Sequence, residues 1–203
     1  SMPRDLVAHD VSLSLGAGAI LLIWGDAVTA TDFFDADCVQ SEPAAMATAA
    51  ALLAHATWWS TAPERALDLA EVAEQFLDGG PDVALVPVLG FETITTGRSM
   101  LIVSRARALA MTGQLAEAAD LLRFLPLLRR EDPVSESVSA WSTKALVDAL
   151  TGDLISATDA AEMALTLAQA GGWNSTVSIA PAHLARALVA FGSGVCADPW
   201  PDV

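Results

Sequence analysis

Four short turns built on glycine punctuate this chain: WGD at Gly25, TGQ at Gly113, TGD at Gly152 and FGSG at Gly192. A fifth, looser anchor stands at Thr61. Seven residues before these anchors are Gly18, Ala54, Ala106, Ala145 and Ala185, and five residues after them are Ala30, Ala66, Ala118, Ala157 and Ala197. All ten positions are Gly or Ala. Two helices joined by a short glycine turn form an αα-hairpin, and small residues at one level of each helix let the two axes approach where they cross. A larger side chain there would wedge the pair open. The same regularity accounts for a stretch that occurs twice, GDAVTATDFFDAD at residues 25–37 and GDLISATDAAEMA at residues 152–164.

Composition points the same way. Hydrophobic residues make up 53% of the 203, which gives ample material for a core and excludes a disordered chain. Ala and Leu dominate, Tyr is absent and β-branched runs are rare, so intrinsic propensity favours helix nearly throughout. The anchors predict an all-α chain of about nine helices, near residues 5–24, 27–39, 43–60, 63–78, 98–112, 115–129, 134–151, 154–171 and 177–191. Pro63-Glu64 suits a first turn, Gly79-Gly80-Pro81 and Gly171-Gly172 stop helices, and Pro126 should end or kink the sixth helix early. Glu64, Asp68, Glu71, Glu74 and Asp78 recur at helical spacing opposite Leu67, Ala70, Ala73 and Leu77, one wet face and one buried face.

One segment departs from the plan. Residues 79–97, GGPDVALVPVLGFETITTG, stretch one anchor interval to 52 residues where the others are 36, 39 and 40. Long irregular segments inside a domain tend to be lids, binding loops or disorder. Val83, Val86, Val88, Leu89 and Phe91 are too apolar for a free linker, so the segment is expected to pack down on the helices or cover a groove.

The chain resembles tetratricopeptide-type (TPR-like) repeat proteins, which place a small residue in the first helix, a glycine turn, then alanines at matched points in the second. The match is fullest around Gly152, with Trp141, Ala145, Leu154, Ala157 and Ala164 following the Asp132-Pro133 pair. Gly18, Ala30 and Phe34 contribute around Gly25. The intervals exceed the family's 34 or so residues, and Asp148 stands where an aromatic is usual. Longer units of this kind resemble the helical arrays of bacterial regulators of the maltose-activator type. The resemblance implies a single domain over residues 3–203, a right-handed superhelix of αα-hairpins with units near 5–40, 43–78, 98–130, 134–172 and 177–197.

Charge excludes some partners. Residues 1–92 hold 14 acidic residues against Arg4 and Arg65, a net of −12, while residues 93–203 hold 11 against eight bases, a net of −3. Such a surface repels nucleic acid and anionic membranes and attracts basic peptides. The clustered Arg98, Arg105, Arg107, Arg123, Arg129 and Arg130 could grip a carboxylate or phosphate; pairing with Glu117, Asp120, Glu131 and Asp132 is the plainer use. The most apolar run, LSLGAGAILLIW at residues 13–24, falls short of the roughly 20 residues a bilayer span needs and lacks a cationic start, so it reads as a buried helix. Cys38 and Cys196 are far apart, and His9, His55 and His183 are scattered. This is no zinc pattern, and two idle thiols suit a cytoplasmic protein. Ser1-Met2 resembles a protease-cleavage scar and is given no structural meaning. The last unit holds one helix before DPWPDV; it is expected to be a cap, a cut from a longer regulator, or a place where Trp200 docks on a neighbour or a second copy in a homodimer.

Phosphate-binding, zinc-protease and nucleophile-elbow motifs are missing from the sequence, and a lone His55 or His183 on an Ala-rich helix is more often packed than catalytic. The expectation is therefore a non-enzymatic chain without cofactor or metal. Stacked hairpins present a concave surface suited to an extended peptide or a helix. By the register the resemblance implies, that groove would be lined by Met100, Val103, Arg107, Met111, Ser139, Ser142, Leu146 and Leu150. Trp58 and Trp59 cannot both face inward, so one should border a groove or a partner. The alternative is a small-ligand sensor with a pocket beneath the 79–97 segment.

Overall fold

A computed structural model describes residues 10–24, 26–58, 63–79, 85, 86, 88, 98–123, 134–171 and 176–193. Among them every regular element is a helix and no strand is present. Ten helices are seen: α1 (Val11–Ile23), α2 (Ala27–Phe34), α3 (Asp37–Gln40), α4 (Pro43–Thr57), α5 (Glu64–Leu77), α6 (Arg98–Met111), α7 (Leu115–Leu122), α8 (Val134–Thr151), α9 (Leu154–Ala170) and α10 (Thr176–Gly192). The chain forms two compact units, Ser1–Ala108 and Leu109–Val203.

The second expected helix is two. Ala36 is extended, with φ −60° and ψ 139°, and the Gln40 side-chain amide donates to the Phe34 carbonyl at 2.9 Å, closing α2 so that Phe34 and Val39 both point into the core. The sixth helix, α7, ends at Leu122, ahead of Pro126, which lies outside the described residues.

The glycine turns explain the doubled stretch. Gly113 and Gly152 have φ of 83° and 88°, the left-handed region that a side chain penalises. Each donates its N–H to the carbonyl three residues back, Ala110 or Ala149, and the next residue donates to the carbonyl five back: Gln114 to Leu109 at 2.8 Å, Asp153 to Asp148 at 2.9 Å. This double closure satisfies carbonyls that a helix end leaves open. Asp26 makes the same long bond to Leu21, at 2.9 Å. The aspartate then turns its side chain to the helix that follows: Asp26 accepts from the Thr29 N–H at 3.0 Å and Asp153 from the Ser156 N–H at 3.1 Å. These are N-caps, and the bonds from Thr29, backbone first, hold the Asp26 carboxyl below its usual range. Further on, the Thr31 and Thr158 hydroxyls donate to the carbonyls of Ala27 and Leu154, and Ala30 and Ala157 face inward. One aspartate thus ends one helix and starts the next.

Nine of the ten small residues at fixed offsets from the anchors are buried; Ala197 lies outside the described residues. In the first unit α1 packs on α2, α4 packs on α5, and α1, α2 and α3 all rest on α4. A β-carbon at Gly18 would fall 2.4 Å from Cε1 of Phe34, so the glycine is what allows α2 to seat its aromatic ring. In α6, Ser104 meets His55 of α4 and Arg105 pairs with Glu74 of α5 at 2.7 Å. In the second unit α8 packs on α9, and α10 leans on both around Ala145, Ala160, Ala161, Ala164, Ala182 and Ala185, with Trp141 against them; α7 rests on α8.

Helix α1 is apolar all round yet only half covered. Leu15, Gly18, Ala19 and Leu22 are buried, whereas Leu13 (45% exposed), Ile20 (49%) and Trp24 (78%) are open. At 3.6 residues per turn these three fall within an arc of about 40° on the opposite side of the helix. The expected buried helix is therefore buried on one face. Among the described residues no helix is long and apolar enough to cross a membrane.

Candidate functional site

The residues expected to line a groove divide between the units. In the first, Met100, Val103 and Arg107 lie on the inner side of α6 and are buried. In the second, Ser139, Ser142 and Leu146 are buried, Leu150 is half-buried and Met111 is exposed. Trp58 is buried as well, and Trp59 lies outside the described residues. On α6 the reason is that almost the whole helix is covered: Leu101, Ala106, Ala108, Leu109 and Ala110 are buried along with Met100, Val103, Ser104 and Arg107, while Ile102 and Arg105 are half-buried.

What α6 assembles instead is a buried polar cluster. The Ser104 hydroxyl donates to the Met100 carbonyl at 2.9 Å. Its proton is thereby spent, so the 3.3 Å contact with His55 closes with Nδ1–H donating to the serine oxygen. Nε2 of His55 is then a bare acceptor, buried and without a hydrogen-bond partner. Burial, and secondarily the charge of Arg107, hold His55 well below its ordinary pKa, so the ring is neutral. The Arg107 guanidinium carbon sits 5.6 Å from the Trp58 ring centroid, a cation–π distance. Burial pushes Arg107 down to about 9, which leaves it charged at neutral pH. Sequence reasoning named Arg107 and Trp58 but set His55 aside and missed Ser104, because the two partners are 49 residues apart.

At Val86 the 79–97 segment meets α4, the helix that carries His55. Leu85 and Val88 are buried, and the Val86 N–H donates to the Thr48 hydroxyl at 2.8 Å, which itself donates to the Ala44 carbonyl. Thr48 belongs to α4, so the segment is tied to that helix at Val86. Beside α5 and α6 a cleft of about 260 Å³ is lined by Glu74, Leu77, Asp78 and Ile102, smaller than the roughly 300–1,000 Å³ of most small-ligand pockets.

The second unit holds a constellation with no counterpart in the sequence reading. Lys144, the sole lysine of the chain, pairs with Asp148 one turn on and donates to the Ser156 hydroxyl of α9 at 2.9 Å; Ser156 donates to the same Asp148 oxygen at 2.6 Å. Asp148 occupies the position where the resemblance wants an aromatic, and the triangle ties α8 to α9 there. A unique lysine four residues from that departure was the available signal. Of the arginines, Arg105 pairs with Glu74 rather than with the acids expected, and Arg123 pairs with Asp120 at 2.9 Å in the open. Arg129 and Arg130 lie outside the described residues, as does Cys196; Cys38 is a free thiol, 3.6 Å from the Ser14 hydroxyl. Among the described residues no three His, Cys, Asp or Glu side chains could share a metal ion.

The outer face of α1 is the remaining feature. Beyond Trp24 and the turn, the outward side of α2 begins with Val28 (84% exposed) and continues with Asp32 and Asp35 at helical spacing, both exposed. Elsewhere, Ile155 and Phe191 are exposed on the second unit, at the end where the β-position of Gly192 lies 3.6 Å from Leu154. Comparison with protein-family models, with curated proteins and with solved structures gave no match.

Proposed function

We propose that this chain is a non-catalytic protein-interaction or scaffold module, a TPR-like array of αα-hairpins that holds a peptide or helix of a protein partner within a cytoplasmic regulatory system. One observation carries the reading: the row Leu13, Ile20 and Trp24, opposite the packed face of α1, leaves large apolar side chains in water. Contiguous exposed apolar surface marks interaction sites in folded proteins. The buried small residues at the hairpin crossings and the capped glycine turns support the TPR-like part of the reading. Panning a display library of helical peptides against the chain tests it. Enriched peptides whose binding is lost with Trp24→Ser are expected; a library that yields no enrichment, or binders indifferent to Trp24 and Ile20, overturns the reading.

A second reading, a small-ligand sensor, is favoured by the unpartnered His55 Nε2 on the helix that receives the 79–97 segment. A co-purifying molecule seen in native mass spectrometry, and lost with His55→Leu, would replace the first reading with this one.

A further inference from the structure

The exposed row on α1 lies in an acidic stretch of the chain and has an aspartate at each end. Between Asp10 and Trp58 the chain carries Asp10, Asp26, Asp32, Asp35, Asp37 and Glu42, all six exposed, and no lysine or arginine. Asp10 caps the start of α1 and Asp26 stands two residues past Trp24, so negative charge brackets the row at both ends. From Leu13 to Trp24 the row runs for about 16 Å along the axis, the length over which a partner helix presents three or four apolar anchors. Midway along the helix are Gly16 and Ala17; a β-carbon at Gly16 would meet nothing within 4 Å, so a second helix axis can come close there.

We infer that this face docks a cationic amphipathic helix of another protein, its apolar anchors on Leu13, Ile20 and Trp24 and its basic flanks against Asp10 and Asp26 at the two ends of the row. The inference rests on the interaction reading above and adds the chemistry of the partner. Charge selects this occupant over the others. A second copy would set the same carboxylates against one another, and an anionic lipid surface would meet them with like charge. A basic helix gains at both the apolar row and its rim.

The test uses the full chain and two synthetic 18-residue helices that share a leucine face, one with lysine and one with glutamate on the polar face. Calorimetric titration should show the lysine peptide binding, with affinity falling at least tenfold in Ile20→Ser and Trp24→Ser, staying within twofold in Ile155→Ser and Phe191→Ser, and weakening severalfold on raising salt. The glutamate peptide should not bind. These side chains are exposed, so unchanged circular dichroism and melting will show that each variant is folded. Equal, Trp24-dependent binding of both peptides overturns the charge selection and leaves the interaction reading standing. Failure of both peptides, beside a barren helix library, removes both. Self-association abolished by Ile20→Ser makes a second copy the occupant, and Trp24-dependent partition into neutral phosphatidylcholine vesicles makes it a lipid surface; either result overturns the inference.

Discussion

The β-position of Gly18 lies 2.4 Å from Cε1 of Phe34, whereas that of Gly16, two residues earlier on the same helix, has nothing within 4 Å. The two glycines should therefore answer substitution with opposite signs. Gly18→Val forces the buried Phe34 ring aside and should cost about 1–3 kcal/mol, the usual range for overpacking. Gly16→Ala removes backbone freedom from a helix interior and should stabilise by about 0.5–1 kcal/mol. Urea titration of the two variants separates the outcomes; equal shifts would mean that α2 does not seat on α1 at Gly18.

Ala157 gives the same test in the second unit. Fully buried at the α8–α9 crossing, it should not tolerate leucine: Ala157→Leu is expected to lose roughly 1–3 kcal/mol, while exposed Ala116 accepts leucine with little change in melting temperature.

The turns make a second pair of expectations. Removing the Asp153 carboxylate with Asp153→Ala leaves the Ser156 N–H without its cap and should cost about 1 kcal/mol. Gly152→Ala puts a β-carbon at a φ of 88° and should cost roughly 1–2 kcal/mol. Thermal melts of both variants check this, and a neutral Gly152→Ala would contradict the left-handed closure.

The polar triangle of Lys144, Asp148 and Ser156 should be non-additive. Lys144→Met strands a largely buried Asp148 and is expected to lose more stability than Lys144→Met with Asp148→Leu together, since removing both charges leaves none uncompensated. A double-mutant cycle with a coupling of about 1 kcal/mol or more is the expected reading; additivity would reduce the triangle to a surface pair.

His55 sets a pH dependence. Its folded pKa is held well below the ordinary 6.5 by burial and by Arg107, so in acid the unfolded chain binds a proton that the folded chain refuses. Stability from this group is present above about pH 6.5 and declines below it by up to about 1.4 kcal/mol per pH unit. For a unit of this size that is several degrees of melting temperature. His183, lowered by burial and then by Arg186, acts in the same direction, so the comparison is between slopes. His55→Gln should flatten the decline between about pH 7 and pH 5.5, and His183→Gln gives the contribution of the other histidine.

Much of the secondary structure was legible because its signals are local. Gly, Asp and a small residue at fixed offsets write a complete hairpin turn, and each piece acts within six residues. Burial was legible where the pattern is amphipathic, as in α5, whose Ala66, Ala70, Ala73 and Leu77 are buried. It was not legible in α1, where apolar residues on every side erase the periodicity that tells a covered face from an open one. Nor was the neighbourhood of Arg107: Trp58 and His55, which face it, stand at the end of α4, and α5 and the long 79–97 segment separate them from α6 in the chain. Repeat register assigns Met100, Val103 and Arg107 of α6 to a groove, whereas all three are buried and Arg107 stacks on Trp58.

The aspartate that serves as both the end of one helix and the start of the next leaves these corners with no slack. A linker of two or three residues, one of them the shared aspartate, cannot absorb an insertion without breaking either the carbonyl bond behind it or the cap ahead of it. Growth and loss of sequence are thereby pushed to the joints between hairpins, where the anchor intervals already range from 36 to 52 residues. A tag, a fluorophore or a split point belongs at those joints.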